Sequence, residues 1–138
     1  MHISGACLCG GVRYTCDADP VLTLLCHCKH CQRTGGAAYS VDVAVPRAAL
    51  KINGTLASYH DKGDDSGLPV LRQFCPACGS PIVSDVGATA DLLWIKAGTL
   101  DDTSWLKPQM NIWTDSAQPW VAIDNGLPHF GRNPPLNG

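Results

Sequence analysis

Three cysteines between residues 26 and 31 carry the clearest chemical signal in the sequence. Cys26, Cys28 and Cys31 fall within six residues, and their thiols converge if the backbone turns there, because side chains two apart share a face of an extended chain. Thiolates are soft ligands that favour Zn²⁺, Cu(I) or iron–sulfur clusters. With no fourth ligand beside them, they predict a metal site with one open coordination position, which is typical of catalysis.

Two further cysteine pairs lie far apart in the chain. Cys7 and Cys9 flank Leu8, and Cys75 and Cys78 form a Cys-x-x-Cys knuckle followed by Gly79. A tetrahedral structural zinc needs four ligands, and two remote pairs are a usual way to clamp two parts of a small β domain together. The four outer cysteines therefore predict a structural zinc site, which leaves the triplet with its vacancy.

A closed triplet site is the alternative. Its fourth ligand would be Cys16, His27, His30 or His60. The open site is favoured because structural sites normally show four identifiable ligands. His27 lies between two ligand cysteines and should point to the opposite face, either behind the ligands or toward solvent. Cys16 shares the apolar face of a predicted strand and is interpreted as a core residue.

Composition excludes several function classes. The chain has 138 residues, with 10 Lys plus Arg and 12 Asp plus Glu, so its formal charge of −2 provides no basic footprint for nucleic acid or an anionic membrane. No apolar run reaches the roughly 18 residues of a membrane span, and residues 1–7 lack the features of a signal peptide. We expect a cytoplasmic protein whose eight cysteines are reduced and metal-bound.

Alternating apolar and polar residues predict a mainly β domain with few short helices. Strands are predicted over residues 12–16, 21–25, 38–45, 70–74, 81–84, 91–97 and 109–114. Asn53-Gly54 predicts a hairpin turn that joins residues 50–52 to residues 55–60. Residues 61–67 are expected to form a flexible surface loop. We expect one domain over residues 1–130 and a flexible tail over residues 131–138.

Several motifs together resemble one known family. They are Cys-x-Cys-Gly-Gly-Val-Arg-Tyr from residue 7, Cys-His-Cys-x-x-Cys-x-Arg-x-Gly-Gly-Ala from residue 26, Phe-Cys-x-x-Cys-Gly-Ser-Pro-Ile from residue 74, Ala-Gly-Thr-Leu-Asp-Asp over residues 97–102, and Pro119-Trp120. This set resembles the glutathione-dependent formaldehyde-activating enzyme (GFA) family over about residues 5–130. The resemblance implies an Mss4-like β-tent built on zinc-clamped antiparallel sheets.

The resemblance also implies a function. In the family, the outer cysteine pairs hold a structural zinc, and the triplet holds a catalytic zinc that engages the thiol of glutathione. Carried over, these roles fall to Cys7, Cys9, Cys75 and Cys78, and to Cys26, Cys28 and Cys31. The implied activity is a carbon–sulfur lyase that joins or cleaves an adduct of glutathione, or another small thiol, with an aldehyde such as formaldehyde. Two zinc ions per chain are implied.

Residues beside the triplet are candidates for substrate binding. Arg33 could hold a carboxylate of a peptide thiol through a bidentate fork, and Gly35 could let the backbone approach the ligand. An ordinary solvated charge and a simple turn explain these residues as well. The four tryptophans are interpreted as core residues rather than as pocket wall; they are Trp94, Trp105, Trp113 and Trp120.

Two functions from different classes remain open. The first is the zinc-dependent lyase acting on a small thiol adduct. The second is a non-enzymatic zinc module of the same fold that binds a protein partner, as a centromere-associated relative suggests. A hydrolase is disfavoured because no Gly-x-Ser-x-Gly elbow is present. The partner predicted for the lyase is a small-molecule thiol, with no nucleic acid and no membrane.

Overall fold

The protein is described here by a computed structural model, which covers residues 1–134. Within that range the chain forms ten strands and one α-helix. They are β1 (Ile3–Ala6), β2 (Arg13–Cys16), β3 (Leu22–Cys26), α1 (Lys29–Gly35), β4 (Ser40–Pro46), β5 (Leu50–Asn53), β6 (Ala57–Lys62), β7 (Pro69–Phe74), β8 (Pro81–Val86), β9 (Leu92–Lys96) and β10 (Met110–Ile112). The predicted mainly β fold is confirmed.

The strands form two sheets that share one core. The small sheet has the order β1-β2-β5, and the large sheet has the order β10-β3-β4-β9-β8-β7-β6. Each strand pairing is antiparallel except that of β10 with β3, which is parallel. Side chains of β4 and β9 such as Val43, Val45 and Ile95 are at most 1% exposed and pack in one cluster with Ile3 and Tyr14 of the small sheet. One face of the large sheet is therefore covered by the small sheet.

The other face of the large sheet carries the polar residues that matter below. Because side chains alternate along a strand, cross-strand partners share a face. Arg72 of β7 pairs with Ser84 of β8, which pairs with Trp94 of β9. In the neighbouring row Lys96 pairs with Asp42. The small sheet packs against the opposite face and does not cover this one.

The predicted hairpin at Asn53-Gly54 is wrong. The turn exists, and Gly54 has φ +109°, but β5 pairs with β2 and β6 pairs with β7. The chain thus crosses from the small sheet to the large one. A Cβ on Gly54 would lie 2.2 Å from the carbonyl oxygen of Gly11. Only glycine therefore allows the two backbone segments to approach this closely.

Helix α1 was not predicted, because seven residues are too few to show an amphipathic period. Cys28 caps its N-terminus, and the Cys28 Sγ accepts a hydrogen bond of 3.3 Å from the Cys31 N–H. Gly36 ends the helix in the left-handed conformation, with φ +63°. The metal-ligand spacing itself therefore includes the first turn of a helix.

The last described residues return to the large sheet. The N–H of Trp113 donates to the carbonyl of Arg132, at 3.2 Å, and the indole N–H of Trp113 donates to Asn133 Oδ1 at 2.8 Å. Residues 135–138 of the predicted tail lie outside the described residues, and the flexible tail stays a prediction. None of the described helices has the length and apolar character needed to cross a membrane.

Candidate metal centres and the adjoining cavity

The four outer cysteines come together between the two sheets. Cys7 and Cys9 lie in the loop from β1 to β2, and Cys75 and Cys78 lie in the loop from β7 to β8. Their four sulfurs all lie within 4.8 Å of one another, with Cys9 Sγ 3.6 Å from Cys7 Sγ and 3.8 Å from Cys75 Sγ. Zn–S bonds of about 2.3 Å in a tetrahedron put sulfurs about 3.8 Å apart. The donor set therefore fits a zinc ion.

Local hydrogen bonds hold both loops in the conformation that brings the four sulfurs together. Cys7 Sγ accepts a bond of 3.2 Å from the Val12 N–H, and the Gly79 N–H donates to the Cys75 carbonyl at 2.8 Å. Gly79 has φ +79°, which favours glycine and lets the knuckle turn tightly. Hydrogen bonds to Ser80 lower the pKa of the Cys78 thiol to about 5, so this sulfur is readily a thiolate ligand.

The inner triplet also converges. Cys26 ends β3, Cys28 caps α1 and Cys31 lies in its first turn. The three sulfurs lie within 4.8 Å of one another. Cys31 has a pKa well below its ordinary value, because hydrogen bonds from Cys26 and Cys28 stabilise its thiolate. Hydrogen bonds with Cys28 and Cys31, together with burial, raise the pKa of Cys26. The group is thus a compact thiol set suited to a soft metal ion.

Among residues 1–134, no His, Asp, Glu or further Cys completes the triplet as a fourth ligand. Cys16 lies in the core shared with the small sheet, as predicted. His27 is 1% exposed and its Nε2 lies 3.0 Å from Asn111 Oδ1, so it is buried rather than solvent-facing. His30 Nδ1 lies 2.7 Å from Asp61 Oδ2. Exposed His60 is outside the group.

A cavity of about 190 Å³ opens beside the triplet. All three thiols line it. Most of its wall is apolar and comes from the open face of the large sheet and from the segment after β10; these residues include Leu22, Leu24, Val70, Val86, Trp94 and Trp113. The triplet is therefore accessible to a small ligand from an apolar chamber.

Two of the cations that line this cavity lie close to the thiols, and the sequence did not single them out. Arg72 Nε donates to Asp61 Oδ2 at 2.8 Å, and Arg72 Nη1 lies 3.7 Å from Cys31 Sγ. Lys96 Nζ lies 2.7 Å from Asp42 Oδ1. Burial opposes the charge on Lys96, yet the nearby Asp42 carboxylate and Cys31 thiolate raise its pKa. Both cations are thus charged, paired and close to the thiols.

Two residues predicted to bind substrate lie elsewhere. Arg33 and Gly35 are exposed and are absent from the cavity lining, because α1 turns their side of the helix away from the large sheet. Their role in substrate binding stays a prediction. The interpretation of all four tryptophans as core is wrong for three: Trp94 and Trp113 line the cavity, and Trp120 is 74% exposed. Trp105 packs against the core.

The geometry defines a mainly β domain with two thiol clusters that could hold metal ions. Comparison with protein families then identifies the family: residues 2–116 match the family described as glutathione-dependent formaldehyde-activating enzyme, and the chain belongs to it. This confirms the resemblance drawn from the motifs.

Solved structures share the fold. A crystal structure of a Rhodobacter sphaeroides protein superposes with a TM-score of 0.57 at 19% identity, over 76% of this chain and 91% of that chain. No curated protein sequence matches this chain significantly.

Proposed function

We propose that the protein is a zinc-dependent carbon–sulfur lyase that joins or cleaves an adduct of a small thiol, such as glutathione, with an aldehyde. The observation that carries the proposal is the triplet of Cys26, Cys28 and Cys31, three sulfurs without a fourth protein ligand in residues 1–134, facing a cavity. Membership of the family supports the choice of thiol and aldehyde as substrates.

Each cysteine cluster has its own role in this proposal. Cys7, Cys9, Cys75 and Cys78 hold a structural zinc that joins the two sheets, and the triplet holds a second, catalytic zinc. A thiol with a pKa of about 8.5 is largely protonated at neutral pH, and a bound zinc ion supplies the means to deprotonate it. A cytoplasmic location belongs to the proposal, because free thiol ligands persist in a reducing compartment.

The chain's own residues contribute orientation and charge. Cys28 and Cys31 are positioned by α1, whose cap uses the Cys28 sulfur. Arg72 Nη1 approaches Cys31 Sγ, and its positive charge offsets the excess negative charge of three thiolates. The apolar wall beside the triplet lowers the local polarity and so strengthens these interactions.

Zinc stoichiometry tests the proposal together with a cobalt spectrum. Protein purified without chelator should hold two zinc ions per chain, Cys28→Ser should hold one, and the control Cys16→Ala should keep both. Added glutathione should change the absorption bands of the cobalt-substituted triplet. The zinc-loaded protein should accelerate the formation or cleavage of the adduct between glutathione and formaldehyde. One zinc in every variant, with no response to thiols, would contradict the lyase and favour the non-enzymatic partner-binding module.

A further inference from the structure

The walls of the cavity beside the triplet carry information about the substrate. We infer that the cavity takes an apolar substituent, aromatic or branched aliphatic, attached close to the reacting sulfur or carbon of the thiol–aldehyde adduct. This inference rests on the proposed function and names the substrate class that the site prefers over glutathione with formaldehyde. Three features of the cavity support it: the apolar wall, the two tryptophans in that wall, and the ion pairs that already engage Arg72 and Lys96.

The apolar wall is continuous with the thiols. Leu24, Cys26, Cys31 and Ile112 form one buried cluster, and Trp94 and Trp113 pack against it. Formaldehyde has no apolar substituent that could use this surface, and glutathione is a charged peptide. A small apolar group placed next to the sulfurs would remove both its own surface and the wall from water.

Both tryptophans present ring carbon to the cavity. The Trp94 indole N–H donates to Thr89 Oγ1 at 2.9 Å, and the Trp113 indole N–H donates to Asn133 Oδ1 at 2.8 Å. With each N–H already engaged, the rest of each ring offers only apolar and π contacts. The pair thus suits a flat or branched hydrocarbon group better than a polar one.

The backbone of Trp113 is held in an unusual conformation to line the cavity. Its φ is +59°, the one positive value of a non-glycine residue in the described part of the chain. Bulky side chains rarely adopt this region. The Trp113 N–H donates to the Arg132 carbonyl, and the Arg132 guanidinium lies 4.7 Å above the ring. Strain of this kind clusters at ligand sites.

The charged groups of the cavity are already committed to one another. Arg72 pairs with Asp61 and Lys96 pairs with Asp42. Of the cations that line the cavity within residues 1–134, Lys62 at the exposed rim has no carboxylate partner. The two carboxylates of glutathione would therefore find one free cation, whereas an apolar substituent meets a matching wall.

The apolar group can come from either reactant. In synthesis the sulfur forms a bond to the carbonyl carbon, the carbon–oxygen π bond opens, and the thiol proton ends on that oxygen to give a hemithioacetal. Cleavage is the reverse. Nothing is oxidised or reduced, so no further reactant is needed.

A two-by-two assay tests the inference and separates the two sources. The thiols are glutathione and phenylmethanethiol, and the aldehydes are formaldehyde and benzaldehyde. A pair that carries a phenyl group should give a kcat/KM at least about tenfold above glutathione with formaldehyde, the scale of one aromatic contact. Benzaldehyde with glutathione reports an apolar aldehyde, and formaldehyde with phenylmethanethiol reports an apolar thiol.

Matched tryptophan variants locate the effect. Trp113→Ala should abolish the preference for phenyl groups, measured as the ratio of kcat/KM for a phenyl pair to kcat/KM for glutathione with formaldehyde. Trp120→Ala, which changes an exposed tryptophan outside the cavity, should keep that ratio. Trp94→Leu serves if Trp113→Ala fails to fold. A faster reaction with glutathione and formaldehyde than with every phenyl pair, or equal effects of the two alanine variants, would overturn the inference.

A non-reacting probe keeps this inference distinct from the proposed function. Phenylmethanol cannot form the adduct, and its saturable quenching of tryptophan fluorescence in wild type, lost in Trp113→Ala, supports the apolar site even if no thiol reacts. Inactivity of all four substrate pairs, with a cobalt site that ignores thiols, would end the lyase proposal. Absence of phenylmethanol binding would end the apolar inference.

Discussion

At the scale of single residues, Arg72 and Lys96 are the side chains whose environment could not be read from the sequence and is set by the fold. Each lies on a strand with alternating character and, by sequence, resembles an ordinary solvated charge. In the structure the Arg72 side chain is 13% exposed, bonded to Asp61 and directed at the Cys31 sulfur. A charge buried this far requires partners, and here those partners belong to the candidate site.

Arg72→Gln should loosen the zinc proposed for the triplet. Loss of a charge-assisted hydrogen bond to a thiolate corresponds to about tenfold faster release of that zinc to a colorimetric chelator. Two release phases are expected, and the phase of the outer cluster should not change, which is an internal control. Arg47→Gln, which breaks an exposed ion pair with Asp85, should alter neither phase. Equal acceleration of both phases by Arg72→Gln would point to general unfolding.

At the scale of elements, helix α1 sets the geometry of the triplet. It has seven residues, begins at a cysteine cap and ends at Gly36 in the left-handed conformation. A helix this short depends on its caps and on tertiary contacts for stability. Gln32 supplies such a contact, since its side-chain amide donates to the carbonyls of His27 and Ser116.

Gly36→Ala should destabilise the protein by about 1 kcal/mol in urea unfolding. The cost comes from the backbone, because a Cβ at this position meets no atom within 4 Å while φ +63° disfavours any L side chain. Gly35→Ala is the matched control: it also has open space, lies inside the helix, and should be neutral or stabilising by up to about 1 kcal/mol. The reverse order of stabilities would show that the cap geometry is wrong.

The connection between β5 and β6 shows a limit of local patterns. Asn53-Gly54 is a good turn sequence, and a turn is present, but strand pairing was decided by which strands could complete each sheet. β5 pairs with β2, where Leu50 and Ile52 pack against the shared core. The free energy that selects this partner comes from burial between residues distant in sequence. A two-residue turn sequence therefore could not predict which strands pair.

At the scale of the whole molecule, the two cysteine clusters differ in what they connect. The outer cluster joins loops that are 66 residues apart at Cys9 and Cys75 and belong to different sheets. The triplet lies within one continuous segment. A metal at the outer cluster therefore stabilises the joint between sheets, whereas a metal at the triplet mainly orders its own neighbourhood.

Cys75→Ser should abolish cooperative thermal unfolding, whereas Cys28→Ser should retain it with a moderately lower Tm. Structural zinc supplies on the order of 10 kcal/mol of folding free energy in small domains, comparable to the whole stability of a domain. Circular dichroism melts with zinc present would measure the difference. If Cys28→Ser were the more damaging change, the structural and catalytic roles would have to be exchanged.

Tyr14 makes the second joint between the sheets and predicts a response to alkaline pH. Burial raises its pKa to about 12, although the hydrogen bond with Thr99 lowers it in part. The pKa in the folded state lies above the ordinary value of 10.0. The contribution of neutral Tyr14 to the free energy of unfolding is therefore complete below pH 10 and is lost as the pH rises toward 12.

Tyr14→Phe should therefore flatten the loss of stability between pH 10 and 12. At pH 8 it should cost about 1 kcal/mol, the value of one buried hydrogen bond. Urea unfolding at several pH values measures both effects, and ultraviolet titration should lose the component near pH 12. A wild-type stability that does not fall over this range would contradict the assignment.

The sequence by itself determined the ligand chemistry and the class of fold. Cysteine spacing is local, because two or three residues limit how far apart two sulfurs can lie, and alternation along a strand is equally local. From these, the two thiol clusters and the mainly β fold could be predicted, whereas the family was identified from the resemblance of several motifs to a known family. Alternation along the strand also favoured a core position for Cys16, and the structure confirms it.

Only the tertiary structure decided what surrounds the triplet. Arg72 comes from β7, Trp94 and Lys96 from β9, and Trp113 from the segment after β10. They meet because sheet pairing brings them to one face. Arg33 and Gly35 lie next to the triplet in sequence, yet they are exposed outside the cavity because the turn of α1 places them on another side of the helix. Side-chain proximity across a sheet depends on register and strand order, which are determined by burial summed over the whole domain.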